Sequence, residues 1–372
     1  MNIEEFVENL GSDFYTGVPD SQLRELCDYL MTMYGTDPKH HIIAANEGNC
    51  VGIAAGYHLA TGKVPVVYLQ NSGEGNIINP LASLLSDEVY SIPCIFVIGW
   101  RGAPGVHDEP QHVFQGKVTL ELLKVMDIPY AEVDSETTAA SLKTKMCEFN
   151  HALRLGKQVA FIIRKNALTY AKKMVYQNEY ELLREDVIRC IVKASEDDVI
   201  VCTTGKAGRE LFEIREAEGQ GHERDFLTVG SMGHCSSIAV GIALQQPKKR
   251  VWCIDGDGAM LMHLGALPVI SSCRPENLVH IVIHNGAHES VGGQPNAMKG
   301  LDAGGLARAS GYPFVACAAT MKDLVKELNI IKSRNGLSFL EVKAAVGSRE
   351  NLGRPTTKPL ENKQGFMNYL KG

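Results

Sequence analysis

The sequence predicts an α/β fold of two similar doubly wound parallel-sheet domains with no central third domain, and three observations carry that prediction. Short apolar runs that suit buried parallel strands alternate with helical patterns along the chain, as at 64–70, 92–99, 159–164, 251–254 and 278–283. The 372 residues divide into halves large enough for one core each, leaving no room for a further domain. The chain also repeats itself. Laid on 231–251 without gaps, residues 46–66 give eight identities in 21 positions, among them Gly48/Gly233, Cys50/Cys235, Ala54/Ala239 and Gly56/Gly241. Domains are expected over 1–175 and 186–372, joined by a linker at 176–185 that has no strong apolar period.

In order, 2–15 reads as an amphipathic helix and a short strand, and Thr16-Gly17-Val18-Pro19-Asp20-Ser21 as a turn opening a helix through Leu30. A strand over 41–45 precedes Glu47, which heads a helix of small residues. The strand at 64–70 ends at Asn71-Ser72-Gly73-Glu74-Gly75; the next, at 92–99, runs into 100–115, a stretch rich in glycine, proline and polar residues that reads as a long loop and a candidate lid. Helices over 118–126 and 137–155 and a strand over 159–164 complete the first half. In the second, Thr204-Gly205 follows an apolar run, as Thr16-Gly17 does in the first, and a helix is expected from about Met260 between strands 251–254 and 278–283.

Composition narrows the function. Charged residues make up 22% of the chain, and a net charge of −6 offers no basic excess for nucleic acid or an anionic membrane. No eighteen apolar residues occur together, and the acidic start lacks the pattern of a signal peptide, so a cytoplasmic protein is expected. Ten scattered cysteines without a CxxC pair read as buried, reduced thiols.

The chemistry concentrates at Gly256-Asp257-Gly258 and His284-Asn285-Gly286. Asp257 and Asn285 are 28 residues apart, the length of one strand–helix–strand crossover, which places both at the same sheet edge. A carboxylate, an amide oxygen and flanking glycines suit a hard cation held against a diphosphate, and the helix that follows adds its positive end. The repeat is asymmetric here, because Glu47 faces Met232 and 71–75 stands near where the other copy has Asp255-Gly256-Asp257-Gly258.

Gly256-Asp257-Gly258 with Asn285, and a glutamate heading a small-residue helix in the other half, resemble the thiamine diphosphate-dependent enzymes. Residues 16–21, 285–295 and 352–355 carry a closer resemblance to the short phosphonopyruvate and sulfopyruvate decarboxylases. That resemblance implies thiamine diphosphate and Mg²⁺ as cofactors, with Asp257, Asn285 and the Ala287 carbonyl as metal ligands. It places Thr204, Gly205, Gly258 and Ala259 at the diphosphate, Gly230 and Met232 at the aminopyrimidine and thiazolium, and Glu47 at the pyrimidine nitrogen as the activating acid. His107 and His112 in the 100–115 stretch are candidate proton carriers; Arg101, Arg349 and Arg354 are candidate cations for an anionic substrate, and Ser21 lies in the turn that resembles a substrate-contacting loop. Asp20 and Glu74 depart from the larger decarboxylases, which have a glycine and a proline at these places.

The implied reaction is non-oxidative decarboxylation of 3-phosphonopyruvate to phosphonoacetaldehyde and CO₂, in a homo-oligomer with active sites at subunit interfaces. Sulfopyruvate is the alternative substrate, and an inactive cofactor-binding regulatory subunit the alternative class. Two other readings lose ground: the GxGxxG dinucleotide fingerprint fails at Leu261, and no middle domain is available for a flavin-dependent carboligase.

Overall fold

The computed structural model describes residues 1–372, the side chain of Ser290 excepted. It divides into two compact units, 1–175 with 291–294 and 176–290 with 295–372.

The first unit begins with α1 (Ile3–Leu10), whose N-terminus is capped by the Asn2 side chain and whose C-terminus stops at left-handed Gly11. Next come β1 (Tyr15–Gly17), α2 (Arg24–Met33), β2 (His41–Ile43), α3 (Glu47–Thr61), β3 (Val66–Gln70), α4 (Glu74–Pro80) and β4 (Cys94–Gly99). α5 (Pro110–Val125), β5 (Tyr130–Val133), α6 (Ala139–Arg154) and β6 (Gln158–Ile163) complete it. The second runs α7 (Arg184–Ser195), β7 (Val199–Cys202), α8 (Lys206–Ala217), β8 (Asp225–Leu227), α9 (Cys235–Gln245), β9 (Val251–Gly256), α10 (Asp257–Met262), α11 (Ala266–Cys273) and β10 (Leu278–His284). Two-residue strands β11 (Ala287–His288) and β12 (Gln294–Pro295) precede α12 (Ala303–Ala309), β13 (Phe314–Ala318), α13 (Met321–Ser333), β14 (Ser338–Lys343) and α14 (Pro359–Lys371).

Each unit holds a six-stranded parallel sheet, ordered β2-β1-β3-β4-β6-β5 in the first and β13-β14-β10-β9-β7-β8 in the second. Counted from the first strand of each unit, with β11 and β12, which pair only with each other, left out and the second sheet read from its β8 edge, the two orders are the same. The repeat legible in sequence is therefore a repeat of topology. Central strands β4 and β10 are buried along their whole length, as crossover helices on both faces require. On β9 the two-residue alternation sends Trp252 and Ile254 to one core and Val251 and Cys253 to the other. No helix among the described residues is long and apolar enough to cross a membrane.

Three local expectations change. The stretch read as a loop over 100–115 ends at Glu109, because Pro110 occupies the first turn of α5. Gly116, one residue beyond that stretch, lies inside the helix where a Cβ would stand 1.8 Å from the Gly102 carbonyl oxygen. The segment after Gly73 is helical rather than an extended turn, and β5, short and mostly half-exposed, carries too weak an alternation to read. In the segment expected to be a linker, Asn178 donates to the carbonyls of Asn285 and Ala344 (2.9 and 3.0 Å), and Arg184 already begins α7.

Candidate active site

In the second unit β9 and β10 run side by side with Gly256 opposite Ile283, so Asp257 and Asn285 leave the sheet at neighbouring positions on its carboxyl edge. Asp257 is the first residue of α10 rather than lying ahead of a helix that starts near Met260. Its Oδ2 accepts from the amides of Asn285 (3.0 Å) and Gly286 (2.6 Å). Oδ1 accepts from the Gly258 amide (2.6 Å) and from Asn296 Nδ2 (2.9 Å). Burial raises the Asp257 pKa, and these N–H donors oppose that rise. Asn285 Oδ1 accepts from the Ala287 amide at 3.0 Å, folding the third implied ligand back toward the first two. Carboxylate, carboxamide and backbone carbonyl make an all-oxygen set of the kind hard cations take.

The remaining second-half residues converge. Gly230 N–H donates to Thr204 Oγ1 at 3.1 Å, and Gly205 adopts φ +97° before α8. No side chain caps α8, which leaves its leading N–H groups open to an anion. Met232 reaches toward the 256–258 turn: its Cε would stand 3.5 Å from a Cβ on Gly258, and Ala259 is buried in the same turn.

In the first unit Glu47 is buried at the head of α3, and its Oε2 accepts from Asn76 Nδ2 at 2.7 Å. A Cβ on Gly73 would stand 2.3 Å from Glu47 Oε1, so only glycine lets this turn lie against the carboxyl group. Ser21 and Arg101, 80 residues apart, meet: Arg101 Nη1 donates to Ser21 Oγ at 3.0 Å. The guanidinium also binds Asp108 at two points, 2.7 and 2.5 Å. Burial favours the neutral acid at Asp108, but Arg101 and the Gly102 amide hold its pKa below the usual range.

His112 is not on a mobile loop. It is buried in the first turn of α5, with Nδ1 lacking a hydrogen-bond partner among the described residues. Burial, then the Arg101 charge, lowers its pKa and so favours the neutral ring. Arg349 is committed to Glu185 and Glu213, which removes it from the candidate anion ligands.

The two halves match different models. Residues 2–123 match "Thiamine pyrophosphate enzyme, N-terminal TPP binding domain", and residues 204–342 match the "C-terminal TPP binding domain" of the same enzymes. The chain is 32% identical over 377 aligned positions to a phosphonopyruvate decarboxylase of Streptomyces viridochromogenes, covering 97% of this chain and 92% of that one. This chain belongs to the thiamine diphosphate-dependent decarboxylases. A phosphonopyruvate decarboxylase of Streptomyces hygroscopicus is 29% identical (97% and 91% covered), and a sulfopyruvate decarboxylase of Methanosarcina acetivorans 27% identical (91% and 89% covered).

In this thiamine diphosphate-dependent decarboxylase Asp20, read in the sequence only as a departure from the larger decarboxylases, stands beside polar residues that went unread. Asp20 is buried against Gly99, hydrogen-bonded by Gln70, and pushed up to about 6 by burial, with Gln70 and Arg101 opposing. Asn296 grips Asp257 from beyond the expected motif, although Gln294-Pro295-Asn296 directly continues the recognisable stretch. Cys253, Asp255 and His280 bring possible metal-ligating atoms within 4.8 Å of one another in the core of the second unit. They join no expected ligand; His280 there hydrogen-bonds Tyr312 Oη at 3.1 Å. All ten cysteines are free, six of them buried.

The Gly73 packing gives a prediction. Gly73→Ala is expected to push the Glu47 carboxyl aside, lowering kcat by roughly 10²-fold because a displaced catalytic group loses its geometry. The colliding atoms belong to a side chain, so Tm should move by only about a few degrees. Unchanged turnover in a folded Gly73→Ala protein would contradict the placement of Glu47.

Proposed function

We propose that this decarboxylase converts 3-phosphonopyruvate to phosphonoacetaldehyde and CO₂, using thiamine diphosphate and Mg²⁺. The observation that carries the substrate is the Ser21–Arg101 contact. Of the five guanidinium N–H groups, three are used on Asp108 and Ser21, and two remain for a tetrahedral anion beside the Ser21 hydroxyl. Full-length similarity to two phosphonopyruvate decarboxylases supports the same substrate.

In this reading Asp257, Asn285 and the Ala287 carbonyl would hold Mg²⁺ as an all-oxygen ligand set. Thr204, Gly205 and the open N-terminus of α8 hold the diphosphate, Gly258 and Ala259 line its turn, and Gly230 and Met232 position the rings. When bound, thiamine diphosphate supplies the carbon nucleophile and the electron sink that loss of CO₂ requires. Glu47 presents a carboxyl group, fixed by Asn76, to the pyrimidine nitrogen. The neutral ring of His112 first accepts a proton and then passes that same proton to the product, returning to the neutral form, and Arg101 orients the anionic tail. A cytoplasmic homo-oligomer of at least two subunits belongs to the same proposal; light scattering in solution measures the subunit number.

Sulfopyruvate is the second reading, favoured by the full-length similarity to the Methanosarcina acetivorans enzyme. Aldehyde formation from phosphonopyruvate, sulfopyruvate and pyruvate separates the two. The highest kcat/KM is expected for phosphonopyruvate; a higher value for sulfopyruvate would transfer the assignment, and equal use of pyruvate would remove the anion role of Arg101.

A further inference from the structure

A buried charge network in the second unit adjoins the implied cation and diphosphate positions. Asn285 Nδ2 donates to Glu289 Oε2 at 3.0 Å. The same oxygen accepts from Arg184 Nη1 at 2.6 Å, and Glu289 Oε1 accepts from Lys206 Nζ at 3.1 Å. Arg184 in turn binds Glu210 bidentately, at 2.7 Å on each side. The side chains of Arg184, Glu210 and Glu289 are 7%, 1% and 7% exposed. Two acids and two bases therefore balance within a dry environment, where removing one partner leaves another charge uncompensated.

We propose that Glu289 is a positioning residue for the cation site: it fixes the Asn285 carboxamide with its oxygen toward the metal and holds Lys206 away from it. The inference rests on the cofactor reading above. A carboxamide presents oxygen and NH₂ in nearly the same shape, so something must choose between them. At Asn285 the Ala287 amide fixes the oxygen end and Glu289 fixes the NH₂ end. Rotating the group by half a turn would aim N–H at a divalent cation and nitrogen at the Ala287 amide. The acid also neutralises Lys206, which immediately follows Thr204-Gly205 at the start of α8. Loss of Glu289 thus has opposite consequences for the two ligands: the cation meets a free Lys206 charge and an unfixed amide, whereas a diphosphate gains a free ammonium group.

The test uses the full-length wild type, Glu289→Ala and Glu289→Gln. Mn²⁺ affinity is read by electron paramagnetic resonance at saturating thiamine diphosphate, and thiamine diphosphate affinity by calorimetry in EDTA. Glu289→Ala should raise the Mn²⁺ Kd about 10- to 100-fold, as loss of an outer-sphere partner does. Glu289→Gln, which keeps one acceptor, should show a smaller rise, and metal-free thiamine diphosphate should bind both variants at least as tightly as wild type. A parallel loss of both affinities would make Glu289 merely structural. Mn²⁺ Kd values within twofold of wild type would also overturn the inference. Wild-type protein that takes up no Mn²⁺ with thiamine diphosphate would overturn the cofactor reading itself, and this inference with it.

Discussion

Replacing Glu47 with glutamine is expected to lower kcat by roughly 10²- to 10⁴-fold, the usual contribution of a positioned acid, while thiamine diphosphate still binds. The side chain keeps its length, and its amide oxygen can still accept from Asn76, so the head of α3 should hold its shape. What is lost is the exchangeable proton of a carboxyl group. Single-turnover CO₂ release and a cofactor titration on the same preparation check both parts. Near-normal turnover would remove Glu47 from the chemistry and leave it a buried acid at a helix start, where the dipole alone accounts for it.

The second large effect concerns stability. Glu74 is 3% exposed, with Oε1 lacking a hydrogen-bond partner among the described residues. Burial raises its pKa from 4.5 to about 8, opposed only by Thr119. An acid whose folded pKa is raised contributes stability that is present below its unfolded pKa and lost as pH rises through the folded value. The window therefore runs from about pH 4.5 to somewhat above pH 8. At 1.36 kcal/mol per pKa unit, the whole loss is on the order of 5 kcal/mol. Wild-type stability should fall between about pH 5 and about pH 8 and level off above that, and Glu74→Gln should flatten that fall while matching wild type below about pH 4.5. Chemical unfolding of both proteins across this range reads the difference. Parallel curves would show that Glu74 does not stay protonated when buried.

Much of this site was legible because parallel α/β sheets tie chemistry to chain order. Loops at strand ends carry the functional residues, and strand spacing says which ends meet. Asp257 with Asn285 came from one crossover length, whereas Thr204 and Gly230, which also meet, came separately from the resemblance. Ser21 with Arg101 also meets, but no local periodicity links residues 80 positions apart. The resemblance supplied Ser21, and the charge of Arg101 after a strand end made it a candidate, but nothing in the sequence paired the two. Asp108 as the partner of Arg101, and Glu289 as the partner of Asn285 and Lys206, were missed because side-chain pairing leaves no mark on hydropathy. A weaker indication was present for Glu289, four residues beyond Asn285 in the same stretch. His112 was misplaced for a different reason: Pro110 was read as a loop residue, although proline is at home in the first turn of a helix.

A thiamine diphosphate titration of wild type and Asp257→Asn, with and without Mg²⁺, tests the central claim most directly. The amide would set an NH₂ group against one pair of N–H donors, either Gly258 and Asn296 or Asn285 and Gly286, and would remove the charge a divalent cation needs. Wild type is predicted to bind the cofactor in a Mg²⁺-dependent way, with that dependence lost in Asp257→Asn. Equal binding by the two proteins, or wild-type binding indifferent to Mg²⁺, would contradict the assignment of Asp257 as a metal ligand.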